Sequence, residues 1–303
     1  MSKILISIVG PTAIGKTALS IQLANYFNTD IISADSRQFF KEMSIGTAAP
    51  TPEELAAATH HFIHHKSIED NYNVGAFEKE ALQLLNVLFE NKDVVIMVGG
   101  SGLYVDAVIK GLDDFPEVDA NIREALNKQS ESEGLKPLQE QLKTLDIQSY
   151  NTIAIDNPHR VIRALEICIG TGKPYSSFLN KEKTKRPFNT ISIGLTADRT
   201  IIYDRINKRV DQMIANGLLD EVIQLQSQQH LNALNTVGYS ELFKYLNGEW
   251  TLEFAISEIK KNSRRFAKRQ LTWFKKDPNI AWFEFSDTLE HIIQHIERKR
   301  IED

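Results

Sequence analysis

The stretch Gly10-Pro11-Thr12-Ala13-Ile14-Gly15-Lys16-Thr17 decides the fold, because it fits the phosphate-binding pattern G-x-x-x-x-G-K-[ST]. The apolar run 4–9 before it predicts a strand, and residues 17–27 after it predict a helix. Glycines let backbone N–H groups surround phosphate oxygens, and the helix N-terminus adds positive partial charge. Lys16 adds a cation, and the Thr17 hydroxyl is a candidate ligand of Mg²⁺. The flanking pattern favours a di- or triphosphate site over a simple glycine turn with an incidental lysine.

Composition describes an ordinary soluble enzyme. The chain has 303 residues, 42% of them hydrophobic and 25% charged, and its net charge of −5 argues against a uniformly basic nucleic-acid binder. No apolar run approaches the roughly 20 residues that span a bilayer, and no signal-peptide pattern precedes the first strand. We therefore expect a cytoplasmic protein without a membrane partner, acting as a monomer. The single cysteine, Cys168, cannot form an intrachain disulfide, and its helical pattern predicts a buried apolar role.

Strand and helix patterns alternate through the first third of the chain. A second strand is predicted over 30–33 and a third over 94–98, with a helix over 74–90 between them. Such alternation predicts an α/β fold with a P-loop, doubly wound parallel sheet as its core. Ligands of such sheets bind at the carboxyl ends of the strands. We therefore expect Lys16, Asp35 and Ser101 to gather at one edge.

The middle of the chain changes character. Residues 117–145 are polar and helix-forming, and no β-run appears until 190–195, as expected for a helical insertion. The prediction is a first part of the core over 1–115, a helical insertion domain over 116–189, and a second part of the core over 190–303. In the last part, helices are predicted around 200–215, 218–227, 239–246 and 252–274, followed by a strand near 280–283 and a terminal helix.

The helix near the C-terminus is strongly basic. Eight cations and no acid lie between Lys260 and Lys276. At 100° per residue, one face carries Lys260, Lys261, Arg264, Lys268 and Lys275, and another carries Ile256, Ile259, Phe266, Trp273 and Phe274, with Arg269 turned toward the apolar side. A solvated charged face is one interpretation. The absence of carboxylates favours contacts of Lys261, Arg264 and Lys268 with a nucleic-acid backbone.

Two further patterns leave alternatives open. Four histidines, at positions 60, 61, 64 and 65, suggest a zinc site, but no cysteine lies nearby, and packing within a polar loop is the favoured interpretation. A P-loop most often serves ATP or GTP chemistry, in which an acid at the end of an apolar strand holds Mg²⁺. Here the strand 94–98 ends in glycines, and the acid is Asp35. Asp35 could bind Mg²⁺ through water or accept a proton from an attacking nucleophile.

Motifs from the first strand to the basic helix resemble those of the bacterial tRNA dimethylallyltransferase family, in the family's order. Besides the phosphate loop they are Asp35-Ser36-Arg37-Gln38, Ile45-Gly46-Thr47-Ala48, Gly99-Gly100-Ser101-Gly102-Leu103-Tyr104, Asn157-Pro158-His159-Arg160-Val161-Ile162-Arg163-Ala164-Leu165-Glu166, Gly238-Tyr239 and Ala267-Lys268-Arg269-Gln270-Leu271-Thr272-Trp273-Phe274. The resemblance implies transfer of the dimethylallyl group of dimethylallyl diphosphate to the exocyclic N6 amine of the adenine 3′ of the anticodon in tRNA. Diphosphate is released, so the loop would hold a prenyl diphosphate rather than ATP.

The resemblance also implies roles for individual residues. Asp35 would be the general base, and Lys16, Thr17 with Mg²⁺, and Arg209 would stabilise the leaving diphosphate, with Arg205 as the alternative to Arg209. The insertion would close on the anticodon stem. Contacts to tRNA are implied for Asp35, Ser36, Arg37, Gln38, Ser101, Arg123, His159, Arg160, Val161, Ile162, Arg163, Gly238 and Tyr239.

The sequence departs from the family's usual residues at three of these motif positions, where Ser101 replaces Thr, His159 replaces Arg or Gln, and Ala49 replaces Lys. These departures concern single RNA contacts rather than the chemistry. Two rival functions stay open at this point. One is a small-molecule or nucleotide kinase, and the other is a non-catalytic RNA-binding P-loop protein.

Overall fold

A computed structural model describes residues 2–179 and 185–302 of the chain. In these residues a six-stranded, fully parallel sheet has the strand order β3-β2-β4-β1-β5-β6. The strands are β1 (Ile4–Val9), β2 (Ile31–Ser33), β3 (His60–His61), β4 (Val94–Val98), β5 (Asn189–Thr196) and β6 (Ile280–Glu284). Strands β2, β3 and β4 lie on one side of β1, and β5 and β6 lie on the other, so the sheet is doubly wound and the predicted α/β class is confirmed.

The helices, in chain order, agree with the predicted pattern over most of its length. They are α1 (Lys16–Phe27), α2 (Pro52–Ala57), α3 (Val74–Asn91), α4 (Gly102–Lys110), α5 (Ala120–Glu133), α6 (Lys136–Leu145), α7 (Ile147–Thr152), α8 (Pro158–Thr171), α9 (Arg199–Ala215), α10 (Leu218–Gln224), α11 (Tyr239–Leu246), α12 (Leu252–Phe274) and α13 (Leu289–Glu302). The prediction missed α2, α4, α7 and β3. Two of these follow Pro- or Gly-rich stretches that read as loops, and β3 has only two residues.

Alternate residues of the central strand β1 point to opposite faces of the sheet, as the period of a strand requires. Ile4, Ile6 and Ile8 pack on the face covered by α1, α9 and α13. Leu5 and Val9 pack on the face covered by α3 and α4. Strand β1 is buried along its whole length, which is typical of a parallel sheet with helices on both sides.

The chain divides into two compact units. One contains residues 1–110 and 186–303 and includes the sheet, and the other runs from Gly111 to Lys185. The second unit therefore begins and ends a few residues before the limits 116 and 189 that the sequence predicted. Its helices α5, α6 and α8 share a core that includes Leu126, Leu138 and Leu165. Cys168 is buried in the same core, as predicted.

Among the described residues, every helix is too short or too polar to cross a membrane.

Candidate active site

The phosphate loop joins β1 to α1 at the carboxyl edge of the sheet. Gly10 has φ 144°, and a Cβ there would lie 2.6 Å from the carbonyl oxygen of Leu195, so only glycine fits. Gly15 is the N-cap of α1 and provides no side-chain cap, which leaves the first N–H groups of the helix free of side-chain caps. The loop residues from Thr12 to Thr17 line a cavity of about 970 Å³. The geometry is that of an anion-binding helix N-terminus.

Lys16 folds back over this loop. Its Nζ donates hydrogen bonds to the carbonyl oxygens of Gly10, at 3.1 Å, and Pro11, at 2.7 Å. The pKa of Lys16 is lowered to about 8, chiefly because the ammonium is buried; the nearby Asp35 opposes this shift and Arg209 adds to it. Lys16 is therefore a cation near neutral pH whose charge is sensitive to mildly alkaline pH.

Both arginines of α9 that the sequence left as alternatives reach the phosphate loop. Arg205 Nε donates to the carbonyl oxygen of Ala13 at 2.7 Å, and its guanidinium lies over the ring of Phe285. Arg209 donates to the Thr12 hydroxyl at 3.2 Å. Burial lowers the pKa of Arg209 while Asp35 raises it, so this guanidinium lies within the electrostatic range of the acid. Arg205 supports the loop backbone, and Arg209 is the better placed of the two to meet an anion on the loop.

Asp35 follows β2 and lines the same cavity as Lys16 and Arg209. Its Oδ1 accepts a hydrogen bond from the backbone N–H of Arg37 at 3.1 Å, which orients the carboxylate. The next residue contacts Ser101, whose hydroxyl accepts from the Ser36 N–H at 3.1 Å and lies 3.1 Å from the Ser36 hydroxyl. The structure thus brings together the ends of β1, β2 and β4.

Arg37 and Gln38 use their side chains to hold neighbouring loops. The Arg37 guanidinium donates to the carbonyl oxygens of Ala233, at 2.9 Å, and Asn232, at 3.2 Å. Gln38 Nε2 donates to the carbonyl oxygen of Ala48 at 3.0 Å, although Gln38 also lines the cavity. Both residues therefore have structural partners that the sequence did not predict.

Gly238 and Tyr239 were predicted to contact tRNA, and their burial contradicts this. Tyr239 has 0% exposure and packs in a core with α10 and α12. Gly238 is also buried, with φ 101°, and its N–H donates to Glu241 at 2.8 Å. Gly238 caps α11 and Tyr239 begins it, and the buried Tyr239 side chain cannot reach a partner at the surface.

In the helical unit, helix α8 separates the predicted contacts into two groups. Val161 and Ile162 are buried in the core of that unit, at 0% and 6% exposure, so the prediction of tRNA contacts for these two side chains is wrong. His159 and Arg160 are exposed. The helical period explains the division, since residues one or two apart point in different directions.

Two other arginines of this unit share one carboxylate. Arg123 and Arg163 bind the same oxygen of Glu166, at 2.8 and 2.9 Å. Because the carboxylate offsets only one of the two charges, the cluster keeps a net positive charge. Both arginines are partly exposed. The cluster can therefore face a polyanion.

The basic helix α12 does not present the faces that the wheel predicted. Phe266 and Trp273 are each 38% exposed, whereas Ala267 and Gln270 are buried. Arg269, expected on the apolar side, is exposed and lies over the Phe266 ring. The reason is that α12 contacts different cores along its length, so one apolar direction does not hold for the whole helix.

Several cations of α12 have partners inside the protein. Lys261 pairs with Glu258, Lys260 pairs with Asp211 at 2.6 Å, and Arg264 donates to Asn207 at 2.7 Å. Glu258 lies one turn before the run and Asp211 on another helix, so the run itself gave no sign of them. Lys268 is exposed, as predicted. The exposed cations near the C-terminal half of α12 are the better candidates for contacts with phosphates.

Gln270 is a functional residue that sequence reasoning missed. It is 5% exposed, and its Oε1 accepts the N–H of Thr12 at 2.9 Å while its Nε2 donates to the carbonyl oxygen of Gly100 at 3.0 Å. A Cβ at Gly100 would collide with this amide. The available signals were its place in the motif 267–274 and its position, as a polar residue, on the apolar side of the predicted helix.

The four histidines do not form a metal site. His60 and His61 form β3 rather than a loop, and His61 pairs with Asp30 at 2.8 Å. The His64 ring contacts the Ser44 hydroxyl, and His65 packs between aromatic rings. Within 2–179 and 185–302, the structure groups no three His, Cys, Asp or Glu side chains that could hold a metal ion.

Known proteins share both the sequence and the fold of this chain. The IPP transferase family model matches residues 38–277. A tRNA dimethylallyltransferase of Christiangramia forsetii is 62% identical over 299 residues, which cover 99% of each chain. A tRNA dimethylallyltransferase 1 of Bacteroides thetaiotaomicron is 52% identical over 279 residues, covering 92% of this chain and 91% of that protein.

Solved structures agree with these relatives. The tRNA isopentenylpyrophosphate transferase of Bacillus halodurans is 39% identical with a TM-score of 0.74, and the match covers 100% of this chain and 98% of that one. A eukaryotic dimethylallyltransferase acting on tRNA is 27% identical with a TM-score of 0.80, covering 94% of this chain and 75% of that one. The chain therefore belongs to the IPP transferase family, together with the tRNA dimethylallyltransferases that it resembles.

Proposed function

We propose that this protein transfers the dimethylallyl group from dimethylallyl diphosphate to the N6 amine of the adenine 3′ of the anticodon in tRNA. The observation that carries the proposal is the arrangement of Asp35, Lys16 and Arg209 around one cavity at the phosphate loop. A relative named tRNA dimethylallyltransferase is 62% identical over 99% of the chain. An acid beside a cationic anion site supplies both groups that the reaction needs.

The phosphate loop would hold the diphosphate of the prenyl donor. As the bond between the allylic carbon and the diphosphate oxygen breaks, its electron pair stays on the diphosphate, and negative charge builds there. Lys16 and Arg209 would stabilise that charge, together with the uncapped N–H groups at the start of α1. The loop thus favours departure of the leaving group.

Asp35 would accept the proton from the adenine amine. The N6 nitrogen forms a bond to the allylic carbon and loses one proton, and the Asp35 carboxylate lines the same cavity as the phosphate loop. The hydrogen bond from the Arg37 N–H keeps the carboxylate oriented. General bases of this kind contribute typically ~10²- to 10⁴-fold to the rate.

Mg²⁺ is the cofactor that fits the loop. Thr17 lies in the first turn of α1 and lines the cavity, so its hydroxyl would be the protein ligand. Mg²⁺ commonly takes its remaining ligands from substrate phosphates and water. Bound there, the ion would neutralise charge on the diphosphate.

Recognition of tRNA would use cations that each of the two compact units carries. An adenine must leave its stack to reach a buried diphosphate, at a cost of a few kcal/mol. In the helical unit, Arg160 and the Arg123–Arg163 cluster offer charge for the anticodon stem. In the sheet unit, Lys268 and Arg269 do so. We further propose that the protein acts as a monomer in the cytoplasm.

One feature weighs against a kinase. Strand β4 ends at Val98, and a Cβ at the following Gly99 would lie 2.5 Å from the backbone of Ala34, so this strand end has no place for the acid that P-loop kinases and NTPases use. To test the proposed function, purified protein is incubated with total tRNA, Mg²⁺ and dimethylallyl diphosphate that is labelled in the prenyl group. The proposal predicts label in the tRNA and release of unlabelled diphosphate. ATP consumption without label in the tRNA would contradict it.

A further inference from the structure

We propose that Glu221 is a positioning residue for the substrate cavity, which it shapes by holding the loop 44–50. This loop, here called the wall loop, lines the cavity with Ser44, Ile45 and residues 47–50. The inference rests on the proposed function, because it assigns the cavity to the prenyl diphosphate. It concerns a residue that lies on α10, outside the phosphate loop and its motifs.

Glu221 binds the wall loop through three consecutive backbone N–H groups. One carboxylate oxygen accepts from Ser44 at 3.0 Å and from Ile45 at 2.8 Å, and the other accepts from Gly46 at 2.9 Å. A carboxylate that accepts several backbone N–H groups makes charge-assisted bonds, which are stronger than neutral ones. The start of the wall loop is therefore fixed to α10 by a single side chain.

Tyr239 completes this arrangement. Its hydroxyl donates to the same Glu221 oxygen that accepts from Gly46, at 2.6 Å. The ring also packs against Gly46 so closely that a Cβ there would lie 2.5 Å away. Burial and the charge of Glu221 raise the pKa of Tyr239, which keeps its hydroxyl protonated as a donor. This contact gives the buried Gly238-Tyr239 motif an internal role.

The other end of the wall loop is held from the Asp35 side. Gln38 Nε2 donates to the carbonyl oxygen of Ala48 at 3.0 Å, and Ala48 has a positive φ of 47°. The wall loop is thus attached to Glu221 at one end and to the segment after Asp35 at the other. A shift at Glu221 would move a wall of the cavity that also contains Lys16 and Asp35.

Glu221 acts on shape rather than on chemistry. Its two oxygens accept four hydrogen bonds from the protein, which leaves little capacity for a proton of the substrate. The wall loop 44–50 has no charged side chain. Loosening it should weaken binding of the prenyl diphosphate more than it slows the chemical step.

The test compares Glu221→Gln with the wild type by amide hydrogen exchange and steady-state kinetics. Gln keeps the size but loses the charge and one acceptor, so the exchange of the Ser44, Ile45 and Gly46 amides should accelerate by roughly tenfold or more. KM for dimethylallyl diphosphate should rise by about tenfold, with kcat within about threefold of the wild type. Tyr239→Phe removes only one hydrogen-bond donor to Glu221. It should raise the amide exchange rates and the KM in the same direction by a smaller factor.

Glu42→Gln is the matched control. Glu42 also fixes a loop, through the Ser67 hydroxyl at 2.8 Å and the Ile68 N–H at 3.0 Å, but it does not line the cavity. Its KM should stay near that of the wild type. An unchanged KM in Glu221→Gln, or a decrease confined to kcat, would overturn the inference while wild-type transfer still supports the proposed function. If Glu221→Gln does not fold, Tyr239→Phe decides by the same two measurements.

Discussion

The side-chain amide of Gln270 accepts a hydrogen bond from the backbone N–H of Thr12 at 2.9 Å, across 258 residues of sequence. The phosphate loop is thereby attached to α12, the helix that carries the exposed cations Lys268 and Arg269. The same amide binds Gly100 beyond β4. One buried side chain thus joins the ends of two central strands to the helix that we propose to meet tRNA.

Replacing Gln270 by Ala should lower both the thermal stability of the protein and its affinity for the diphosphate group. The change leaves the Thr12 N–H and the buried Gly100 carbonyl without their partner, which costs about 1–3 kcal/mol and should lower Tm by several degrees. Gln270→Glu keeps the acceptor for Thr12 but places an oxygen against the Gly100 carbonyl. Thermal unfolding and titration with diphosphate measure the two effects. Unchanged values for Gln270→Ala would show that water replaces this hydrogen bonding at no cost.

Asp35→Asn should remove turnover while leaving tRNA affinity within about tenfold of the wild type, since a general base acts mainly in the transition state. The Asn oxygen can still accept the Arg37 N–H, so the local turn is preserved. Single-turnover transfer should slow by ~10²- to 10⁴-fold. A near-normal rate would make Asp35 a structural or tRNA-binding residue instead.

The charge of Lys16 should make the capture of dimethylallyl diphosphate depend on pH. Burial lowers the pKa of Lys16 to about 8, so the cation is present below that pH and is lost as pH rises through it. The kcat/KM for dimethylallyl diphosphate should therefore fall above about pH 8. Lys16→Ala should have a low kcat/KM without this alkaline decrease. A wild-type profile that stays level well above that pH would contradict the assignment.

The cations of α12 should differ in their contribution to tRNA binding. Removing one cation that binds a phosphate flattens the plot of log affinity against log salt by roughly 0.7 to 0.9 units. We expect the pair Lys268→Gln and Arg269→Gln to reduce the slope by between one and two units, because both residues are exposed.

The controls are Lys261→Gln and Arg264→Gln, whose side chains bind Glu258 and Asn207. They should change the slope less. The affinity for dimethylallyl diphosphate should be unchanged by substitution at any of these four positions. Filter binding at several salt concentrations measures these slopes. Equal slopes would show that the cations of α12 form a solvated charged surface rather than contacts with tRNA.

Local sequence patterns were sufficient for most of the sheet and for the strand–loop–helix course of the phosphate loop. The loop from Gly10 to Thr17 carries its own chemistry, and β4 and α12 have the predicted bounds because their apolar periods are clear. The edge at which Asp35 joins the loop followed from the rule for parallel sheets. Short elements such as β3 could not be predicted, since two residues contain no period.

Burial of individual residues depended on tertiary contacts that no local pattern contains. The family motif implied a tRNA contact for Tyr239. In the structure its hydroxyl donates to Glu221 and its ring packs against Gly46. Likewise Lys261 and Lys260 of α12 have acidic partners one turn earlier or on α9. Position within a motif therefore did not predict what these residues contact.

The most direct test of the account is the mass of the anticodon-loop fragment of tRNA after incubation with the protein, Mg²⁺ and dimethylallyl diphosphate. We predict an increase of C₅H₈ on a single adenosine 3′ of the anticodon, absent with Asp35→Asn under the same conditions. A fragment of unchanged mass, from a protein that binds tRNA and folds normally, would contradict the proposed transfer.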